Sequence, residues 1–133
     1  MNDSRIVLWA TIALLSVGFL VACGQSRIEI GMVETHLPGQ WEANYRTFTG
    51  TKTDRFRAEA GQTLLVEYSA QVEKGRLDFR VQRPGGELLW EVSLQEGGQE
   101  TLELDIETGG RYAIVIEGNN TGGSFVLSWS LEE

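Results

Sequence analysis

Cys23 is the one residue of this chain whose type and position together imply chemistry. It is the only cysteine among 133 residues, so no intrachain disulfide can form. A lone thiol asks for another role, and a thiolate is a nucleophile that accepts an alkyl group. It stands directly after residues 6–22, IVLWATIALLSVGFLVA, an unbroken apolar run. The other reactive residue types offer less. His36 is the single histidine, and without a second histidine or cysteine a zinc site of ordinary composition is excluded. A nucleophilic triad would depend on that same residue, which sits beside Pro38 in a stretch expected to be exposed and passive. Glu103 and Asp105 alternate with leucines, and Glu87 and Glu91 occupy similar outward positions, so they read as solvated faces rather than an acid–base pair. No catalytic residue, metal site or cofactor is expected beyond a lipid on Cys23. Calcium is the one cation with a candidate locus, the oxygens of Gly118-Asn119-Asn120-Thr121-Gly122-Gly123 beside Glu117, but the same residues also make turns. Among the aromatics, Trp90 and Trp129 are in phase with inward residues. Trp41 and Tyr45 are left as a candidate ligand platform on which a sugar ring could stack.

Leu20-Val21-Ala22-Cys23 resembles the bacterial lipobox: a leucine, a small or aliphatic residue, a small residue, then cysteine. The resemblance implies that diacylglycerol is attached to the Cys23 thiol and that a signal peptidase cuts between Ala22 and Cys23. Residues 1–22 are then a lipoprotein signal peptide, and acyl lipid anchors what remains to a membrane. Two or more chains hold stably where one holds marginally, because each buried methylene contributes about 0.8 kcal/mol. Gly24 is not the aspartate that retains lipoproteins at the inner membrane, so a two-membrane source would place the protein at the outer one. The alternatives are a retained transmembrane helix, for which 17 residues are near the lower limit, and cleavage by ordinary signal peptidase.

Anything that positions a ligand must come from residues 23–133. Removing the first 22 takes away only Asp3 and Arg5 as charges, so the net charge stays at −8. Such acidity excludes a nucleic-acid partner, since phosphate binding needs a basic surface. Residues 23–40 carry few signals apart from the alternation Arg27-Ile28-Glu29-Ile30, which predicts a short edge strand at most, and are expected to be a tether. From Trp41 the hydrophobic period is two. Apolar residues alternate through Ala43–Tyr45, Leu64–Val72, Leu77–Val81, Leu88–Leu94, Leu102–Ile106, Tyr112–Ile116 and Phe125–Leu131, with a short strand around Phe56. Turns are expected at 50–53, 61–62, 74–75, 83–86, 97–98, 109–110 and 118–123, where glycines recur. About eight strands with one wet face predict an antiparallel β-sandwich, jelly-roll-like, over residues 41–133. Arg76, Asp78 and Arg80 share an outward face, where alternating charge predicts cross-strand ion pairs.

The order Phe48-Thr49-Gly50-Thr51, Ala60-Gly61-Gln62-Thr63-Leu64, Gly75-Arg76-Leu77, Arg83-Pro84-Gly85-Gly86 and Gly110-Arg111-Tyr112, closing on Gly123-Ser124-Phe125, resembles compact GOLD-like β-sandwich domains. It is also similar to the bacterial pre-peptidase C-terminal domain. That resemblance implies an accessory domain at the cell envelope that meets envelope proteins and does no chemistry itself. The alternative is a carbohydrate- or cell-wall-binding module using Trp41 or a loop.

Overall fold

The computed structural model describes residues 27–133, so Ala22 and Cys23, with the expected signal peptide and lipid site, lie outside the described residues. Seven strands follow one another with no helix among the described residues. They are β1 (Ile28–Ile30), β2 (Val33–Leu37), β3 (Gln40–Ala58), β4 (Thr63–Gln82), β5 (Leu88–Leu94), β6 (Gly98–Asp105) and β7 (Gly110–Glu132). All pairings are antiparallel, in the order β1-β3-β7-β4-β5, with β2 also on β3 and β6 also on β4.

Three of these strands are too long to be straight. At roughly 3.3 Å per residue, the 20 residues of β4 and the 23 of β7 would outrun a domain of this size. They bend instead, and each contributes to two layers. The first layer is β2, the start of β3, the end of β7, the start of β4, and β6. The second is the end of β3, the start of β7, the end of β4, and β5. The layers close over a core in which Tyr68 meets Phe79 with ring centroids 5.3 Å apart, and Phe79 meets Phe125 edge-on at 5.6 Å. The β-sandwich expected from the alternation is therefore present.

Two bends fall where turns were expected, at 74–75 and 118–123, while the third lies at 45–50, just before the turn expected at 50–53, whose residues pair in regular register with 115–118. In place of turns the chain stays in strand and breaks register, between Tyr45 and Gly50 and between Val72 and Arg76. Extra residues in a ladder kink the strand and raise its twist, which is how a continuous strand turns a corner. Gly75 has φ +67°, and a β-carbon there would collide with the carbonyl oxygens of Asn119 and Asn120 on the strand beneath. Gly123, at φ +139°, lies equally close to the Gln71 carbonyl. The register break also shifts the phase of β3. Ala43 and Tyr45 face inward as expected, but Phe48 rather than Thr47 fills the next core position. The turn at Arg83–Gly86 forms as expected, with the Gly86 amide donating to the Arg83 carbonyl at 2.9 Å.

The expected tether differs most. Residues 28–37 are paired along β3 as β1 and β2, so the folded domain begins well before Trp41. Glu29 of β1 and Glu34 of β2 both reach the buried ammonium of Lys52, at 2.8 and 2.5 Å. The same ammonium lies 5.6 Å from the centre of the Phe48 ring. A charge removed from water needs such partners, and here they bind the N-terminal strands to the sandwich.

Candidate functional site

Trp41 and Tyr45 do not form an exposed platform: Trp41 is 4% exposed and Tyr45 6%. The physical reason is β2. Without β2 the flank of β3 at Trp41 would be open to solvent. With β2 in place, the His36 ring stacks on Trp41 at 3.9 Å with planes 9° apart, and both aromatics turn into the core. Trp129 is buried as expected, and Trp90 is half-buried against Tyr68.

His36 is not passive. Besides Trp41 it contacts Asp54 across the sandwich, Nε2 to Oδ2 at 3.1 Å. A hollow of about 340 Å³ lies beside this pair, lined by Leu37, Pro38, Gly39, Arg55, Phe56 and Trp129 as well. That lining contains no hydroxyl or thiol, so the His–Asp pair has no nucleophile to activate there. The candidate calcium locus is likewise reorganised. Residues 118–123 belong to β7, Thr121 and Gly122 are buried, and the Glu117 carboxylate is taken by Arg80 at 3.1 Å. Among the described residues no three acidic, histidine or cysteine side chains are grouped to hold a metal. Arg80 makes the expected cross-strand pairs, to Glu91 and Glu117, and Arg76 meets Asp78 at 3.3 Å within β4, but Asp78 is buried rather than solvated as expected.

The outer face of the first layer is where the structure offers a surface for a ligand. Registers β6-β4-β7-β3 set Thr101, Glu67, Ser128 and Gln40 in one row, and Gln99, Ser69, Val126 and Glu42 in the next. Short serines on β4 and β7 lie between longer amides and carboxylates, leaving a depression of about 480 Å³ lined by Glu67, Ser69, Gln99, Glu100, Thr101, Val126 and Ser128 with part of Tyr68. Two of its carboxylates are held in place. Glu67 accepts a hydrogen bond from the Thr101 hydroxyl at 3.3 Å, and Glu100 accepts one from the Tyr68 phenol at 2.9 Å. Burial, and then that bond to Glu100, push the Tyr68 phenol up to about 12. Val126 is an exposed apolar side chain in the middle of this polar field. No lysine or arginine lines the depression.

Sequence reasoning missed this trough. The alternation does assign Glu67, Ser69, Val126 and Ser128 to outward positions. Which strands lie side by side is a matter of strand order, and no local pattern encodes it.

No protein-family model and no curated protein matches the chain. Similar solved structures include TmCBM61 in complex with β-1,4-galactotriose, 20% identical over 70% of each chain with a TM-score of 0.49. A periplasmic inhibitor of g-type lysozyme from Aeromonas hydrophila, PliG, is 18% identical over 77% of this chain and 89% of its own, with a TM-score of 0.49. A carbohydrate binding module from Cellvibrio mixtus lichenase 5A, in complex with cellotriose, is 14% identical over 82% and 90%, with a TM-score of 0.45. The likeness is one of β architecture, and no ligand is transferred by it.

Proposed function

We propose that this chain is a non-catalytic glycan-binding β-sandwich, held at the outer side of a membrane by lipid on Cys23. The observation that carries the binding reading is the composition of the trough on the outer face of the first layer. Hydroxyls, amides and carboxylates surround one apolar side chain, Val126, and no cation is present. A sugar ring matches this arrangement, with an apolar C–H face for Val126 and a rim of hydroxyls for Glu67, Ser69, Gln99 and Thr101. Carboxylates accept hydrogen bonds from hydroxyls with charge-assisted strength. Phosphate-bearing and carboxylate-bearing ligands are repelled by the same groups. The trough lacks an aromatic platform, so binding is weak for a single site, in the millimolar to high micromolar range.

Titration of neutral oligosaccharides into the mature protein by calorimetry tests this. Glu67→Ala with Ser69→Leu is expected to weaken binding about tenfold or more, the loss of one to two hydrogen bonds to a charged acceptor. Both positions are solvent-facing, so the fold is retained. Binding unaffected by the pair, or no binding across a panel of neutral glycans, overturns the reading.

The anchor rests on Leu20-Val21-Ala22-Cys23. Intact mass after expression in a bacterial host is expected to show loss of residues 1–22 and a lipid increment on the wild type, and neither in Cys23→Ala. An unprocessed wild type carrying a free thiol would instead mean a retained apolar helix.

A further inference from the structure

The N-terminal strands are inside out. In β1 and β2 the charged side chains and His36 point inward, Glu29 and Glu34 to Lys52 and His36 to Trp41 and Asp54, while Thr35 is the one polar side chain on the outward side. The apolar ones point to solvent. Ile28 and Ile30 share the outward side of β1 with Thr49 and Thr47 of β3, while Val33 and Leu37 share that of β2 with Asn44 and Gln40. Their exposures are 49, 51, 69 and 53%, and together they are four of the six large apolar side chains left exposed among the described residues. Alternation with the apolar side outward is the reverse of what a sandwich edge in water carries, and an exposed apolar edge strand invites association.

We infer that Ile28, Ile30, Val33 and Leu37 are a membrane-contact face, on which the domain lies against the bilayer that holds its lipid. This rests on the reading of Cys23 as lipidated, and it adds an orientation that the anchor alone does not impose. Three features select a lipid surface as the occupant. Ile28 is five residues after Cys23 in the chain, so the lipid holds this face within reach of the headgroups. The outward positions of β1 and β2 carry no charge; the nearest carboxylate on that side is Glu42, one strand further in, opposite Thr35. Arg46 flanks the face, since a β-carbon on Gly31 between β1 and β2 would lie 3.6 Å from that of Arg46. Beyond it is Lys74, bonded to the Thr47 hydroxyl. Neither cation has a carboxylate partner among the described residues, which suits them to anionic headgroups beside inserted apolar side chains. The trough lies on the same outer face over β7, β4 and β6, with β3 between it and β2, so the contact is made by the β1–β2 edge and not by the whole sheet face.

The experiment uses the mature lipoprotein in vesicles of phosphatidylethanolamine and phosphatidylglycerol, with an environment-sensitive fluorophore on Val33→Cys or, as the control, on Leu88→Cys, an exposed apolar position on β5 of the second layer. Lipid on Cys23 leaves each introduced thiol unique; should intact mass show the Cys23 thiol free, the anchor reading fails and the same labels are placed in the Cys23→Ala chain. Label at position 33 is expected to emit at shorter wavelength and to lose about half its intensity or more to quenchers carried on the acyl chains, while label at position 88 behaves as in water. Equal, water-like signals at both positions would overturn the inference even if the protein is lipidated. Shielding at 33 that persists in detergent without vesicles, with a dimer by light scattering, would also overturn it by assigning the face to a second copy. Val33→Glu with Leu37→Glu serves as the second variant, expected to keep glycan binding while a label at Ile30→Cys becomes water-exposed.

Discussion

Gly123→Ala is expected to destabilise the domain by about 4 kcal/mol, a large part of the 5–15 kcal/mol by which a domain of this size is stable. Two costs combine. The backbone at φ +139° lies where side chains are rarely accommodated, and an added β-carbon would overlap the Gln71 carbonyl. That oxygen belongs to β4, the partner strand at the bend, so it cannot move without moving the corner of the sandwich. Gly61→Ala separates the two costs. Gly61 also has positive φ, +93°, but nothing lies within 4 Å of an added β-carbon. It should lose only about 1 kcal/mol, the conformational part alone. Urea unfolding of both variants measures the difference. Equal losses would mean that strand contact at the bend does not limit stability, and that the three long strands are not fixed at these corners.

The second large effect is on alkaline stability. Burial pushes the Tyr45 phenol up to about 12, with the nearby Thr121 hydroxyl pulling weakly the other way without a regular hydrogen bond. Tyr68 also reaches about 12, through burial and its bond to Glu100. Both therefore hold their protons more tightly folded than unfolded, where the ordinary value is 10.0. The stability this represents is fully present below pH 10 and is lost as pH rises through about 12. The Tyr45 shift corresponds to roughly 2–3 kcal/mol, and Tyr68, whose hydroxyl reaches the solvent-open trough, adds less because solvent screens it. Urea midpoints followed over that pH range should fall steeply in the wild type and much less in Tyr45→Phe with Tyr68→Phe. Tyr45→Phe alone should be near neutral at pH 7, because its buried hydroxyl has no hydrogen-bond partner to lose. A double variant that loses stability with pH as steeply as the wild type would exclude these two phenols as the cause.

The strands were legible residue by residue where the chain alternates. Leu64, Val66, Tyr68 and Ala70 are all buried, as are Leu77, Phe79 and Val81, and the Arg83–Gly86 turn forms where proline and glycine predict it. Glycine was read less well, because it serves a bend within a strand and a turn between strands for one reason: it tolerates positive φ and close approach. Residues 74–75 and 118–123 therefore look identical in sequence to hairpin turns, and only pairing to a neighbouring strand distinguishes the two. The N-terminal strands misled for a different reason. Their alternation is real at Arg27-Ile28-Glu29-Ile30, but its polarity is inverted, and inverted alternation does not reveal that Lys52 waits inside.

What the sequence by itself determined is local: period-two patterning, hence strands and an all-β class, and a lone cysteine after an apolar run, hence an expected anchor. Both depend on residues adjacent in the chain. What only the tertiary structure decided depends on which strands lie side by side. The burial of Trp41 follows from β2 covering β3, and the polar trough from Glu67, Ser128 and Thr101 arriving on three neighbouring strands. The apolar face of β1 and β2 belongs with these, because which side of a strand is outside is set by what packs on the other side. Strand order is chosen by the summed burial of the whole core, to which each of these residues contributes only a small part.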